Sequence, residues 1–323
     1  MPTPIKKVCE TIKKNKSFLI TAHYDPEGDS LGSQLAMAEI LRQLGKKYVI
    51  VDPDKVPSPY KFLKNVNEIQ QPSGKAYQFD IALVLDCPIM ERVRDVAGVI
   101  GKGPIVNIDH HVSNKNFGAI NYVETKASST GEIMYNLAKA LGIKMNKDLA
   151  TYIYIAMLTD TGGFRYSNTT SKTMHIAAEL MEFGVSPKEM YEMIYESYSL
   201  ASRKLLGLCL GTLKVSPDGK FAWMHLTKAM FKKAGATALD AENFVNYPRF
   251  IEGVKIAVLF SDNAKKGFTK VNFRSNESWA DVNKIASKFG GGGHVSASGC
   301  VMKGSLKAVE KKILEEVRKV LSK

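Results

Sequence analysis

SFLITAHYDPEGDSLGSQLAMAEILRQLGKKYVIV, residues 17–51, sets two short apolar runs on either side of a helical pattern. SFLITA is too short and too continuously apolar for an amphipathic helix. Residues 31–44 instead repeat apolar side chains at three- and four-residue intervals, and KKYVIV is a second strand-like run. Strand, helix, strand in this order is the unit of a parallel sheet covered by helices. The alternation continues outward through FDIALVLD (79–86), a mixed stretch, PIVNIDHH (104–111) and a helical 129–141. The spacing predicts an α/β fold, a parallel sheet with helices on both faces.

Beyond residue 146 the pattern is mostly helical to about residue 210. Asn168, Thr169 and Thr170 form one capping signal, and Ser186-Pro187 marks a second helix start. After 210 the pattern changes. GTLKVSPDGKFAWMHL holds two strand-like runs around Pro217-Asp218-Gly219, and VKIAVLFSDNAKKGFTKVNFRS holds two more around a polar turn. Leu306, Val309, Ile313, Val317 and Leu321 fall at helical spacing and close the chain. The expected organisation is a first α/β domain over 1–187, a helical connector over 188–210, and a smaller α+β domain over 211–323.

The 323 residues suit two domains, and 45% hydrophobic with 24% charged residues is ordinary soluble composition, which excludes fibrous repeats and long disorder. Lys and Arg (45) outnumber Asp and Glu (32), giving a formal charge of +13 that favours phosphate-rich ligands. The four cysteines, Cys9, Cys87, Cys209 and Cys300, form no CxxC pair, so neither a zinc knuckle nor a disulfide framework is expected. The apolar run 18–22 is too short for a signal-peptide core, no stretch reaches membrane-span length, and a cytoplasmic location fits.

Acidic and histidine clusters follow three of the expected parallel strands: His23, Glu27 and Asp29 after FLITA, Asp86 after DIALVL, and Asp109, His110 and His111 after IVNI. Ligands of open α/β sheets bind at the carboxyl ends of strands, so these clusters should converge on one crevice. Asp160 ends the apolar helical run YIYIAMLT, and Thr161-Gly162-Gly163 gives it a flexible loop. Several carboxylates without neighbouring Lys or Arg require cations, and mixed imidazole and carboxylate ligands suit Mn2+. Two such metals can hold a phosphoryl group, activate water and stabilise the leaving oxygen.

HYDPEGDSLGS, VLDCP, NIDHHVSN and LTDTGGFRYSNTT resemble, in order, the four motifs of the DHH phosphoesterase superfamily. VNFRS and ADVNKIASKFGGGGHVSASG resemble the substrate-binding DHHA1 domain, so the likeness covers nearly the whole chain and is to the nanoRNase and pAp-phosphatase type. The resemblance implies that His23, Glu27 and Asp86 ligate one Mn2+, and Asp29, Asp86, His110 and Asp160 a second, with Asp86 bridging; Mg2+ or Co2+ are substitutes. It implies that Asp109 orients His110 and that His111 faces the scissile phosphate. The family commonly has Asp where Glu27 stands. The resemblance further implies phosphate and nucleotide contacts from Gly291, Gly292, Gly293, His294, Ser296 and Arg274, with Arg165 as another phosphate contact.

The implied activity is metal-dependent hydrolysis of very short oligonucleotides, an oligoribonuclease of the 3′–5′ exonuclease type, with dephosphorylation of 3′-phosphoadenosine 5′-phosphate (pAp). The residues themselves leave cleavage polarity and base preference open. Hydrolysis of cyclic or linear dinucleotides is an alternative, and a catalytically silent RNA-binding module is a second. The resemblance also implies a homodimer and no membrane partner. Outside the motifs, His175 and His225 read as hydrogen-bonded structural residues, and Cys87 and Cys300 as small buried ones.

Overall fold

In the computed structural model, which describes residues 3–74, 77–241, 243–262 and 265–322, the central strands of the first sheet are buried on both sides. β1 (Ser17–Thr21), β2 (Lys47–Val51), β3 (Ile69–Gln70), β4 (Ile81–Leu85), β5 (Ile105–Asp109) and β6 (Ile120–Val123) lie in the order β3-β2-β1-β4-β5-β6. All five pairings are parallel. Alternate side chains serve opposite faces. Phe18, Ile20, Leu83 and Leu85 join the larger core, whereas Leu19, Val51, Ala82 and Val84 join a smaller one.

The larger core is roofed by α2 (Gly28–Gln43), α4 (Thr130–Leu141) and α5 (Lys147–Asp160). α2 is buried continuously from Gly28 to Leu41 because it is caught between sheet and α5. The smaller core is covered by α3 (Val96–Ile100) and the 3-10 turn Met90–Val93. Two elements escaped the periodicity: β6, of which only Tyr122 is buried, and α1 (Pro4–Lys14), which packs Val8, Cys9 and Ile12 into the larger core. α6 (Ser171–Glu182) starts at its Thr170 cap and α7 (Pro187–Tyr191) at its Ser186 cap, as the sequence indicated.

Strand order reverses between β1 and β4. The chain runs outward from β1 to β2 and β3, then returns to the other side of β1, which opens a crevice at the carboxyl ends of these two strands. His23 follows β1, Asp86 follows β4, and Asp109 ends β5.

Contacts divide the chain into two compact units, Met1–Ser197 and Tyr198–Lys323. The stretch 188–210, expected as a helical connector, is shared between the two units. α7 and the π-helical turn Glu192–Glu196 belong to the first unit, and α8 (Leu200–Leu210) buries Leu205, Leu206 and Cys209 in the second.

The second unit has a sheet in the order β11-β12-β10-β9-β8-β7. Its strands are β7 (Lys214–Val215), β8 (Phe221–Leu226), β9 (Ile256–Ser261), β10 (Phe268–Ser275), β11 (Gly292–Gly293) and β12 (Ala297–Lys303). Among the described residues only β8 and β9 pair in parallel in this sheet; the hairpins expected at 217–219 and between β9 and β10 are both antiparallel. Residues 263 and 264 of the latter turn lie outside the described residues. Phe221, Trp223, Val258, Phe260, Val271 and Phe273 face α11 (Val282–Lys288) and α12 (Leu306–Leu321). Ala222's neighbours Met224 and Leu226, with Leu259, face α8, α9 (Lys228–Ala234) and the short α10 (Asn246–Arg249).

Candidate metal centre and active site

The crevice of the first unit gathers His23, Glu27, Asp29, Asp86, His110, His111 and Asp160. Side-chain donor atoms of three overlapping groups lie within 4.8 Å of one another: His23, Glu27 and Asp86; Asp29, His110 and Asp160; and Asp86, His110 and His111. Asp86 belongs to two of them. Its Oδ2 is 3.4 Å from His23 Nε2, and its Oδ1 is 3.6 Å from His110 Nε2. The residue turns out of β4 with φ 50°, a left-handed conformation rare outside glycine, which aims the carboxylate across the crevice.

Each candidate ligand is fixed by the end of an element or by a neighbouring backbone group. Asp29 lies in the first turn of α2, and its two oxygens accept the backbone N–H groups of Thr130 (2.7 Å) and Gly131 (2.8 Å) at the start of α4. Orphan amides at a helix start favour such an anion. Glu27 is the N-cap of α2, its Oε1 accepting from the amides of Asp29 and Ser30. His23 Nδ1 lies 2.6 Å from Tyr24 O, which places the ring proton there and leaves Nε2 free as a donor atom. Asp160, at the last turn of α5, accepts from Asn168 Nδ2 at 3.3 Å.

The sequence led to the expectation that Asp109 orients His110. The fully buried Asp109 carboxylate instead lies 2.7 Å from His111 Nδ1, and His110 donates to it through its backbone N–H and not its ring. The reason is direction: successive residues leaving β5 point to opposite sides, so residue 111, not 110, shares the side of Asp109. His110 Nε2 faces Asp29, Asp86 and Asp160 at 3.6–3.7 Å.

Three supporting residues were not singled out from the sequence. Thr130 Oγ1 donates to Asp86 Oδ1 at 3.0 Å. Asn114 Nδ2 donates to Asp109 Oδ2 at 2.6 Å and to Asn107 Oδ1 at 2.8 Å. Asn168, read only as part of a capping signal, ties Asp160 to the backbone oxygen of Ser128.

The electrostatics are those of a site built for cations. Among the described residues the carboxylates of Glu27, Asp29, Asp86, Asp109 and Asp160 make no ion pair with Lys or Arg; their charged neighbours are histidines. Burial, then repulsion from Asp86 and Asp160, pushes the Glu27 carboxyl up to about 7. The same causes raise Asp29 well above the usual carboxylate range, and burial raises Asp160. Burial opposes the charge of Asp86 too, yet the bond and field of His23 and the fields of His111 and His110 hold it low. His111 is the converse. Burial disfavours its cation, but the bond to Asp109 and the charge of Asp86 push it up to about 9. Buried carboxylates with imidazole nitrogens and no internal counter-cation fit divalent metal ions.

Arg165 lies in the loop after α5, exposed, with Nε donating to Gly162 O. The other expected substrate contacts belong to the second unit. Arg274 on β10 is half-buried and donates to Phe273 O. Gly291 and Gly293 have a packing reason to be glycine, since a Cβ there would come within 2.2 Å of Gly299 O and 2.5 Å of Ala297 O. Gly292 is more open, and His294 and Ser296 are exposed. The structural readings of His175 and His225 agree with their local bonds to Ser171 O and Glu310, and all four cysteines are free and buried.

Residues 17–157 match the DHH family N-terminal domain, and residues 222–323 match the DHHA1 domain. The bifunctional oligoribonuclease and PAP phosphatase NrnA of Thermus thermophilus is 34% identical over 99% of this chain and 95% of its own length. The protein of the same description from Bacillus subtilis is 31% identical over 91% of each chain. A solved exopolyphosphatase-related protein of Bacteroides fragilis is 26% identical, with a TM-score of 0.91 over 99% of this chain and 98% of that one.

Proposed function

Since the chain belongs to the DHH family and carries a DHHA1 domain, we propose that it is a metal-dependent phosphohydrolase that degrades very short oligonucleotides to mononucleotides and dephosphorylates pAp. The names of the Thermus and Bacillus relatives support this substrate class. The observation that carries it is Asp86, whose two oxygens face two different donor groups.

His23, Glu27 and Asp86 would hold one divalent cation, and Asp29, Asp86, His110 and Asp160 the other; Mn2+ is the metal that the mixed donors favour, with Mg2+ or Co2+ as substitutes. When bound, the pair supplies a clamp on the phosphoryl oxygens and a lowered pKa for the attacking water. The chain's own groups do the rest. His111, kept protonated at neutral pH by Asp109, presents Nε2–H to a phosphate oxygen or gives its proton to the leaving oxygen. Asn114 fixes Asp109 from its other oxygen, so the imidazole cannot swing. Thr130 and the α4 amides hold Asp86 and Asp29 in place before any substrate arrives.

In this reading the first unit is the catalytic domain and the second the substrate-binding domain, where Arg274 and the segment 291–296 take the phosphate and nucleotide end, and Arg165 contributes from the first. A cytoplasmic homodimer completes the proposal. The test is incubation of 5′-labelled di- to pentanucleotides, a longer RNA and pAp with Mn2+ or chelator. Metal-dependent mononucleotide release from the short substrates, with the long one intact, is the expected outcome. No turnover of any substrate by metal-loaded protein would overturn the proposal.

A further inference from the structure

At the β7 edge of the second sheet lies a cavity of about 620 Å3 whose lining includes none of the residues assigned to the reaction. Its walls carry Lys214 from β7 and Lys307, Lys311 and Arg318 from α12. It is separate from the expected substrate contacts in two ways. The glycine run is at the opposite edge, with β12, β10 and β9 between β11 and β8. Arg274 is on the other face of the sheet, because Phe273 and Val271 turn toward α12 and strand side chains alternate.

Lys307, Lys311 and Arg318 form one stripe along α12. Four and seven residues apart, they span roughly 16 Å at 1.5 Å per residue. Like charges one turn apart destabilise a helix unless something compensates. None of the four cations makes an ion pair among the described residues. On the adjoining flank, by contrast, Glu316 takes Lys288 and Lys319 at 2.5 and 2.6 Å. The one acid in the groove, Glu310, has both oxygens occupied, by Trp223 Nε1 at 2.8 Å and His225 Nε2 at 3.0 Å. Four cations against this one carboxylate leave the groove net positive.

Of the lining residues only Leu314 is buried, so this is an open trough with an aliphatic floor rather than an enclosed pocket for a single nucleotide. A linear row of cations that make no ion pair among the described residues, with the Arg318 guanidinium 5.7 Å from the centre of the Phe221 ring, suits a polyanion that runs the length of the trough. We propose that the trough binds the phosphate backbone of single-stranded nucleic acid, independently of the catalytic crevice. Among the described residues no exposed aromatic ring lines it, so contacts are to phosphates and binding is indifferent to sequence.

The experiment measures binding of a labelled single-stranded 24-mer RNA to the full chain in chelator across a salt series. It compares wild type with the double variant Lys307→Glu/Lys311→Glu and a control of equal charge change outside the trough, Lys303→Glu/Lys312→Glu. Two lost phosphate contacts should lower the slope of log affinity against log salt by about 1.4, and weaken binding roughly tenfold near 0.15 M salt, in the first variant only. Equal behaviour of the two variants overturns the proposal. Displacement of the 24-mer by AMP at equal phosphate concentration also overturns it, since the trough would then be a mononucleotide site. Dinucleotide turnover, scored separately, should be unchanged in the trough variant; its absence in wild type would count against the proposed activity and leave the binding result standing.

Discussion

Asp86, Glu27 and Asp109 each do two things, and substitutions can separate them. Asp86→Ala removes the carboxylate shared by two donor groups, so cleavage of a dinucleotide should fall below detection and calorimetry should show the loss of at least one Mn2+ per chain; wild-type turnover would sink the bridging role. Glu27 both caps α2 and faces His23 and Asp86. Glu27→Gln keeps an oxygen for the cap but drops the charge, so metal affinity should fall with little change in melting temperature. Glu27→Ala should add about 1 kcal/mol of lost stability, read by denaturant titration. Asp109→Asn takes the anion from His111, whose pKa, followed by NMR, should drop from about 9 toward the ordinary imidazole value. The imidazole then loses its proton at lower pH, and activity should fall 10- to 100-fold, more at alkaline than at acid pH. The candidate ligands were legible in the sequence because each stands at or near the end of a strand or at the end of a helix. Thr130, Asn114 and Asn168 were not: the first lies 44 residues from its partner Asp86, and nothing local marks a threonine at a helix start as anything but a cap.

At the level of elements, the site depends on how closely three helices approach. A Cβ at Gly32 of α2 would stand 2.5 Å from Tyr152 O, and one at Gly131 of α4 would stand 2.3 Å from Ala156 Cβ. α5, which carries Asp160, therefore lies against two glycines. Gly131→Ala must push α4 away from α5, and about 1–3 kcal/mol of stability should be lost, measured by chemical denaturation. Because the Gly131 amide also holds Asp29, metal affinity should fall with it; unchanged affinity would show that α4 does not position that ligand. The strands β1, β2, β4 and β5 were readable as continuous apolar runs, since both their faces are covered. β6 was not, because an edge strand with one buried side chain of four leaves no such run. α12 was readable from its single apolar stripe, and α2, although buried nearly all round, from the apolar repeat over 31–44.

For the whole molecule, the crowded carboxylates tie stability to pH and metal. The folded state raises Glu27 from 4.5 to about 7 and His111 from 6.5 to about 9, so in metal-free protein these groups stabilise the fold fully below their ordinary values. That contribution is lost as pH rises through the folded values. Asp86, held low, works in the opposite sense. The melting temperature of chelated protein should therefore decline from about pH 5 to about pH 9, and added Mn2+ should raise it by an amount that grows with pH as cations replace protons. A metal effect that shrinks with rising pH would contradict the assignment. The division into two units was foreseeable from the change of pattern near residue 210, but its boundary was not, because helix periodicity continues across Ser197 without showing which core each turn joins. The spread of the ligands along the chain, from His23 to Asp160, matters before the protein is ever complete. A ribosome that has released only the first hundred residues has exposed His23, Glu27, Asp29 and Asp86 without the imidazole of His110, the clamp of α4, or Asp160. Contacts this distant close late, so a chain at that stage lacks the donor group of Asp29, His110 and Asp160, which comes together only when the last of the four segments has emerged and docked.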